Sequence, residues 1–319
     1  MDRLEDYALL GDLQSAALVS RRGAIDWLCL PRFDSPACFA ALLGGEQAGT
    51  WQLAPADGGP ATRRQYRGDS LVLETEWDTR AGSVRLIDTM PPRVKAPDVV
   101  RVVEGVRGRV PMRMLLRLRF DYGNDVPWVR RQDEDLAAIA GPDAIWLRTP
   151  VQLHGADFTT VADFDVEAGQ RIPFVLTYGP SWQPRPDIVD AERAIKDTET
   201  YWHDWISKCN YDGPWKQEVR RSLLVLKALT YAPTGGIAAA VTTSLPEQLS
   251  GPRNWDYRYC WLRDATFTLQ ALLGTGFVSE AKAWREWLVR AVAGDPSQLQ
   301  IMYGLEGTRR LPESELPWL

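Results

Sequence analysis

The sequence contains few of the residues that build thiol, metal or histidine chemistry. Its 319 residues include four cysteines, and no two of them form a C-x-x-C pair of the kind that zinc-binding motifs use. The two histidines, His154 and His203, are far apart in the sequence, and we expect a surface or packing role for both. Neither an H-E-x-x-H motif nor a phosphate-binding glycine loop is present. The sequence therefore predicts no metal, no cofactor and no histidine-based catalysis.

Long apolar segments and a basic excess are also missing. No apolar run approaches the roughly 18 residues that a membrane-spanning helix requires, and the first residues, MDRLED, lack the basic and apolar regions of a signal peptide. The formal net charge is −5, whereas nucleic-acid-binding proteins carry clustered positive charge. We therefore expect no membrane and no nucleic-acid partner and, because the cysteines are few and widely spaced, a cytoplasmic protein with reduced thiols.

Tryptophan, in contrast, is abundant, with 14 residues in the chain. Most of these side chains are expected to fill the core. The alternative is carbohydrate binding, because an indole ring offers an apolar face to the C–H groups of a sugar ring. Composition alone leaves both interpretations open.

The first part of the chain has the pattern of short antiparallel strands. Residues 16–20 and 24–29 flank a turn at Gly23, which is a hairpin pattern because glycine adopts positive φ easily. Further apolar segments, among them residues 99–106 and 112–120, are separated by turn residues. The pattern predicts an antiparallel β-sandwich over residues 1–180.

The pattern changes after this region from strands to helices. A proline-rich stretch begins at residue 179, and we predict a linker with a helix over residues 181–213. From Pro214 apolar residues recur with helical spacing, and two further helical runs follow, at about residues 262–273 and 281–294. Strands followed by helices favour separate β and α domains. We expect residues 214–319 to form only the first part of a helical domain, in a fragment of a longer protein.

An incomplete helical domain is expected to expose apolar side chains. Trp284 and Leu288 lie on one stripe of the last predicted helix, and further helices would be needed to cover them. Since exposed apolar patches promote association, a homo-oligomer is one expected consequence.

The densest group of aromatic and charged residues lies where the second helical run begins. Residues 254–265 read NWDYRYCWLRDA. A carboxylate such as that of Asp264 accepts hydrogen bonds from two neighbouring hydroxyl groups, and a guanidinium such as that of Arg263 donates in a fixed fork. Trp261 and Tyr257 could supply apolar faces for a sugar ring. The alternative is a structural ion pair between Arg263 and Asp264, with the tryptophan in the core.

Several motifs together resemble glycoside hydrolase family 15, the glucoamylase and bacterial trehalase-like group. The motifs that carry the resemblance are residues 7–12, residues 23–36, FDYG at 120–123, TTSLPE at 242–247 and NWDYRYCWLRDA at 254–265. The two N-terminal motifs are typical of the trehalase-like branch. The resemblance extends over the whole chain.

The resemblance implies a fold, a site and an activity. The fold is an N-terminal antiparallel β-supersandwich followed by an (α/α)6 barrel, of which this chain would contain the beginning. Arg263 and Asp264 are expected to bind the terminal glucose unit in the −1 subsite, and Trp261 and Tyr257 to line the same pocket. The implied activity is hydrolysis of terminal α-glucosidic bonds, in trehalose or short α-glucans, with inversion of configuration. An inverting glycoside phosphorylase and a catalytically incomplete carbohydrate-binding or structural fragment are the alternatives.

The two catalytic glutamates of the family have no match in the sequence, and we expect them beyond Leu319. In an inverting enzyme the two carboxyl groups lie roughly 6.5–9.5 Å apart. We expect Asp256 and Asp264 to shape the substrate site rather than to form this pair. The other acidic residues that we considered and do not expect to be the general acid are Glu247, Glu306, Glu313 and Glu315.

Overall fold

The computed structural model describes residues 2–187, 189–249 and 251–319. Its strands are β1 (Ala8–Gly11), β2 (Ala16–Val19), β3 (Ala24–Cys29), β4 (Ala37–Phe39), β5 (Thr50–Pro55), β6 (Arg63–Tyr66), β7 (Leu73–Asp78), β8 (Gly82–Thr89), β9 (Asp98–Arg117), β10 (Trp128–Gln132), β11 (Asp135–Ala140), β12 (Asp143–Arg148), β13 (His154–Ala156), β14 (Thr159–Glu167), β15 (Arg171–Pro180), β16 (Cys260–Trp261) and β17 (Met302–Tyr303). Its helices are α1 (Ala41–Gly44), α2 (Ala191–Ile206), α3 (Lys216–Ala228), α4 (Leu262–Gly274) and α5 (Val278–Ala291).

The long strand β9 joins two antiparallel sheets. Its first half pairs with β8 and β15, and its second half pairs with β5 and β14. One sheet therefore has the order β6-β7-β8-β9-β15-β12-β11-β10, and the other has the order β1-β2-β3-β5-β9-β14-β13, with β4 beside β3. This arrangement confirms the predicted antiparallel β-structure of the N-terminal region, followed by helices.

The core of the β-sandwich consists of apolar side chains from both sheets. Trp51 of β5 and Val99 of β9 are buried in it, as the alternation of inward and outward residues along a strand requires. Phe164 of β14 and Phe174 of β15 contact each other with ring centroids 5.6 Å apart. Because β14 and β15 belong to different sheets, this aromatic pair helps to hold the two sheets together.

A buried ion pair lies in the same core, and its arginine also contacts the other sheet. Arg101 of β9 donates to Asp88 of β8 with an Nε–Oδ1 distance of 2.8 Å, and both side chains are fully buried. The remaining guanidinium nitrogens donate to the carbonyl oxygens of Trp51 and Gly23. The arginine on one sheet thus binds backbone atoms of the other, so that its burial is compensated by hydrogen bonds.

Helix α2 connects the sandwich with the helical region. Its first half packs Ala194 and Ile195 against the outer face of one sheet, and its second half packs Trp202 and Trp205 against α3 and Phe277. The carboxylate of Asp190 caps the helix by accepting from the backbone N–H of Arg193. Because α2 packs against both regions, its contacts do not mark a boundary between them. The boundaries predicted at residues 180 and 213 therefore stay a prediction.

The helical region is short, as predicted for the beginning of an (α/α)6 barrel. Helix α4 corresponds to the predicted run at 262–273, and α5 begins at Val278, three residues before the predicted 281–294 run. Among the residues that the structure describes, no helix is long and apolar enough to cross a membrane.

The predicted exposure of Trp284 and Leu288 is wrong. Trp284 is buried and Leu288 half-buried, because both pack in a cluster with Ile237, Cys260 and Ala265. In the same cluster, Tyr303 of β17 packs edge-on against Trp287, with centroids 6.1 Å apart. The indole N–H of Trp287 also donates to the carbonyl of Leu305 at 2.8 Å. Other apolar side chains of α4 and α5 are exposed instead: Phe267, Leu273 and Val289.

Candidate functional site

The candidate site lies where a short strand runs directly into a helix. Strand β16 pairs with β17 and ends at Trp261, and α4 begins at the next residue. Arg263 and Asp264 consequently occupy the first turn of α4. A carboxylate in this position is favourable because the first turn presents free N–H groups and the positive end of the helix dipole.

Two motifs that are separate in the sequence form one structure here. The chain around residues 239–244 runs antiparallel to residues 255–259. Ala240 N–H donates to the carbonyl of Tyr257 at 2.8 Å, and Tyr257 N–H donates to Thr242 at 3.2 Å. The TTSLPE and NWDYRYCWLRDA motifs therefore support each other through backbone hydrogen bonds, and we call residues 239–249 and 251–261 the paired loop.

An aromatic cluster stands at the end of the paired loop. The ring of Trp261 packs edge-on against Tyr257, at 5.3 Å between centroids, and against Trp255, at 5.5 Å. Its indole N–H donates to the carbonyl of Asp256 at 2.9 Å. Trp261 itself is buried, Tyr257 is half-buried and Trp255 is exposed. The sequence alone did not single out Trp255, although its place in the motif beside Tyr257 was a usable signal.

The Arg263–Asp264 pair is open to solvent beside this cluster. The Nη2–Oδ2 distance is 3.1 Å, and the two side chains are 60% and 31% exposed. The guanidinium carbon lies 5.8 Å from the centre of the Trp261 ring. Hydrogen bonding to the Tyr257 hydroxyl and the charge of Asp264 raise the pKa of Arg263.

The structure thus brings the four sequence-predicted site residues together. An exposed ion pair contributes little to folding stability, so the solvent-facing position of Arg263 and Asp264 argues against a purely structural role. The guanidinium of Arg263 can donate hydrogen bonds and the carboxylate of Asp264 can accept them, so the pair suits a ligand with several hydroxyl groups. The individual binding roles stay a prediction.

Arg258, which the sequence alone did not indicate, is the most highly connected residue near the site. It is 5% exposed and donates to both oxygens of Asp256, at 3.0 and 2.7 Å. It also donates to the carbonyl of Ser35 at 2.8 Å and to the hydroxyl of Tyr122 at 2.6 Å, and it lies 3.4 Å from the Cys29 sulfur. Asp256, expected to shape the substrate site, has its carboxylate engaged by this arginine instead.

The contacts of Arg258 bring together motifs that are far apart in the sequence. Its guanidinium carbon lies 5.9 Å from the ring centre of Trp27, in the second N-terminal motif, and 5.4 Å from that of Tyr122, in the FDYG motif. The indole N–H of Trp27 donates to the carbonyl of Val241 in the paired loop at 2.6 Å. Motifs of the sandwich and of the helical region thus meet at one interface.

The acidic residues considered for catalysis lie on exposed segments. Glu306 pairs with Arg32 at 2.9 Å, and Arg32 also pairs with Asp34. These contacts join the loop after β17 to the N-terminal motif of residues 23–36. The others, also exposed, are Glu247, Glu313 and Glu315.

Comparison with protein families gives two matches that together cover most of the chain. Residues 1–202 match the family described as trehalase-like, N-terminal, and residues 213–319 match the family described as glycosyl hydrolases family 15. The chain belongs to the trehalase-like family by its first match, and its residues 213–319 are a glycosyl hydrolases family 15 region. The candidate site lies in this family 15 region, and its anchors Trp27 and Tyr122 lie in the first matched region.

The sequences of several trehalases are similar to this chain. It is 34% identical to the trehalase of Mycobacterium tuberculosis, in a match that covers 98% of this chain and 50% of the relative. It is 31% identical to the trehalase of Thermoplasma acidophilum, covering 94% of this chain and 52% of the relative. The chain therefore spans about half the length of the curated relatives it matches.

A solved structure supports the fold of the chain. A bacterial glucoamylase in complex with acarbose superimposes with a TM-score of 0.67 at 13% identity, covering 94% of this chain and 52% of the glucoamylase. At this level of identity the similarity concerns the fold alone. It agrees with a β-sandwich followed by the beginning of an (α/α)6 barrel.

Proposed function

We propose that this chain binds a terminal α-linked glucose unit and forms the substrate-binding part of an α-glucoside hydrolase. The observation that carries the proposal is the solvent-open Arg263–Asp264 pair beside the cluster of Tyr257, Trp261 and Trp255. The carboxylate would accept hydrogen bonds from neighbouring sugar hydroxyls, the guanidinium would donate, and the aromatic edge would contact the apolar side of the ring.

The proposed reaction is hydrolysis of trehalose or of short α-glucans with inversion, carried out by the longer protein. The similarity to trehalases favours trehalose. In such a reaction, one carboxylic acid protonates the leaving oxygen and a second carboxylate activates water on the opposite side of the sugar. Arg263 and Asp264 would hold the glucose unit in place for these groups, which lowers the entropic part of the barrier. We propose that the two glutamates lie beyond Leu319.

Two other functions compete with this proposal. The first is a carbohydrate-binding or structural fragment without turnover, which is favoured because the chain spans half the length of its relatives. The second is an inverting phosphorylase, in which phosphate takes the place of water.

We also propose a cytoplasmic location. All four cysteines lie in the residues that the structure describes, and each is a free thiol. Unpaired cysteines are typical of proteins in reducing compartments.

Calorimetric titration of the chain with trehalose, and separately with acarbose, tests the binding proposal. We expect Arg263→Ala and Asp264→Asn each to weaken binding at least about tenfold, because each removes a charge-assisted hydrogen bond to the sugar. Arg80→Ala, at an exposed turn of the sandwich, is the control and should bind like the wild type. Absence of binding by the wild type, or unchanged affinity in both site variants, would overturn the proposal.

Release of glucose from trehalose distinguishes the three functions. Turnover in the absence of phosphate supports the hydrolase, and turnover that requires phosphate supports the phosphorylase. These assays use the longer protein; sugar binding without turnover in either condition supports a carbohydrate-binding or structural protein instead.

A further inference from the structure

We infer that Arg258 is a positioning residue for sugar binding, through which the β-sandwich holds the paired loop and its aromatic cluster in the binding geometry. This inference rests on the proposed function, since it names a residue that acts on the same site. Arg258 does not reach the exposed face of the site, and it acts through Asp256.

Every nitrogen of the Arg258 guanidinium has a partner. The Nε and Nη2 atoms donate to the Asp256 carboxylate, Nη2 also donates to Tyr122, and Nη1 donates to the carbonyl of Ser35. A buried charge is costly unless it is fully paired and hydrogen-bonded. This arrangement therefore fixes the guanidinium in one position, and Asp256 with it.

The fixed position of Asp256 in turn holds the aromatic cluster in place. Its carboxylate binds Arg258, its backbone pairs with Thr243 in an isolated bridge, and its carbonyl accepts from the indole N–H of Trp261 at 2.9 Å. The next residue, Tyr257, packs against the same indole ring. A shift of Asp256 would therefore move both aromatic side chains beside the Arg263–Asp264 pair.

The anchor on the sandwich side is held in an unusual conformation. Tyr122 has a φ of +57°, a left-handed conformation that costs energy for a bulky residue and persists where the surroundings enforce it. In this conformation its hydroxyl accepts from Arg258 at 2.6 Å, and its ring lies 6.5 Å from that of Trp27. Tyr122 and Trp27 form the surface of the sandwich against which the paired loop packs.

The helical region has other attachments to the sandwich. Arg220 of α3 pairs with Asp69 at 2.7 Å, and Arg221 donates to the carbonyls of Ser70 and Gly68. These contacts do not involve the paired loop. Loss of the Arg258 contacts should therefore loosen the loop locally while the two regions stay attached.

The test measures sugar affinity and backbone order in the full 319-residue chain. Variants Arg258→Met, Arg258→Lys and Tyr122→Phe are compared with Arg80→Met, which removes an exposed arginine from the sandwich. Calorimetry with trehalose and with acarbose gives the affinity. Hydrogen–deuterium exchange of peptides within residues 239–261 measures how well the paired loop is ordered. Substitution of a residue that matters only for global stability would not raise exchange in this loop alone.

We expect Arg258→Met to weaken sugar binding at least about tenfold, because the half-buried carboxylate of Asp256 loses the partner that holds it in position. Exchange should rise in the paired loop and stay unchanged in the sheets. Arg258→Lys should restore part of the affinity, because it keeps the charge without the fork of donors. Tyr122→Phe should weaken binding about threefold, since it removes a single hydrogen bond, and it remains informative if Arg258→Met fails to fold.

Wild-type affinity and wild-type exchange in both Arg258→Met and Tyr122→Phe would overturn the inference. If Arg263→Ala still abolishes binding in that case, the proposed function stands without it. If the wild-type chain binds neither sugar, the proposed function fails, and with it the role of Arg258 in binding. The exchange data then decide only whether Arg258 orders the loop.

Discussion

The side chains of the site differ in solvent exposure, and the exposure of each one decides whether it can contact a ligand. Trp261 is buried under its neighbours, whereas Trp255 is 40% exposed and packs edge-on against it. An exposed indole beside an exposed Arg–Asp pair offers more contact area to a sugar than the buried one does. The direct aromatic contact is therefore expected from Trp255 and Tyr257.

Replacement of Trp255 tests this assignment. We expect Trp255→Ala to weaken the binding of trehalose or acarbose about three- to tenfold, because an exposed aromatic contact surface is lost. The melting temperature should change little, since the side chain is exposed. Trp182→Ala, an exposed tryptophan of the linker region, is the matched control and should bind normally. Equal affinities for the two variants would exclude Trp255 from the site.

Asp98 at the start of β9 should give the stability of the chain a measurable pH dependence. Burial and the nearby charge of Asp12 raise the pKa of Asp98 to about 6, although Thr177 donates a hydrogen bond to it. The folded state thus retains a proton that the unfolded state loses near pH 4. This group therefore favours folding at low pH, and that contribution decreases as the pH rises from about 4 through 6.

The variant Asp98→Asn isolates this effect, because the amide keeps an acceptor for Thr177 and cannot ionise. We expect it to raise the melting temperature above pH 6 and to change it little near pH 4. Thermal unfolding of both proteins over this pH range gives the comparison. A constant difference between the two melting curves at every pH would contradict the assignment to Asp98.

The residues of the site could be found in the sequence only where they are close together in it. Arg263, Asp264, Trp261 and Tyr257 lie within one motif, and the structure places them side by side. Arg258 lies in the same motif, but its role depends on partners more than a hundred residues earlier. No local pattern carries this information.

The secondary-structure elements were predictable where the pattern is local and short. The hairpin at Gly23 forms, and its φ is +73°, as the turn requires. The segments 99–106 and 112–120 were predicted as two strands, but both lie largely in β9, which runs from Asp98 to Arg117. The intervening residues 106–109 are exposed, so their sequence resembles a turn. The strand continues through them with a shift in its register to β8 at Val106 and a φ of +72° at Gly108, because β9 changes partners there and enters the second sheet.

The packing of α2, α3 and α5 depends on one buried carboxylate. Glu280 of α5 accepts from the indole N–H of Trp205 in α2 at 2.6 Å and pairs with Lys227 of α3 at 3.1 Å. Glu280→Ala would leave both donors without this partner. We expect the free energy of unfolding to fall by roughly 2–4 kcal/mol, measured by urea denaturation.

The matched control for this experiment is Glu286→Ala, an exposed glutamate of the same helix, which should change stability by less than about 0.5 kcal/mol. Similar losses for both variants would show that the helix, and not the buried contact, responds to the substitution.

On the scale of the whole molecule, the order of strands and helices was predictable, but the surfaces left uncovered were not. The periodic pattern predicts which residues share a helix face, yet it does not reveal which face another segment covers. Trp284 is buried in a cluster with Ile237 and Cys260, whereas Phe267 of α4 is left 67% exposed. An apolar surface of this kind promotes contact between molecules.

We therefore expect the 319-residue chain to self-associate through α4 and α5 in a concentration-dependent manner. The double variant Phe267→Glu with Val289→Glu should shift the population towards the monomer, because a charge replaces each exposed apolar side chain. Its melting temperature at low concentration should stay near that of the wild type, since neither side chain is in the core. Val94→Glu, which changes an exposed valine of the sandwich, should leave the association unchanged. Sedimentation equilibrium provides the measurement, and a wild-type chain that stays monomeric at about 100 μM, a weak-affinity range, would refute an association through these helices.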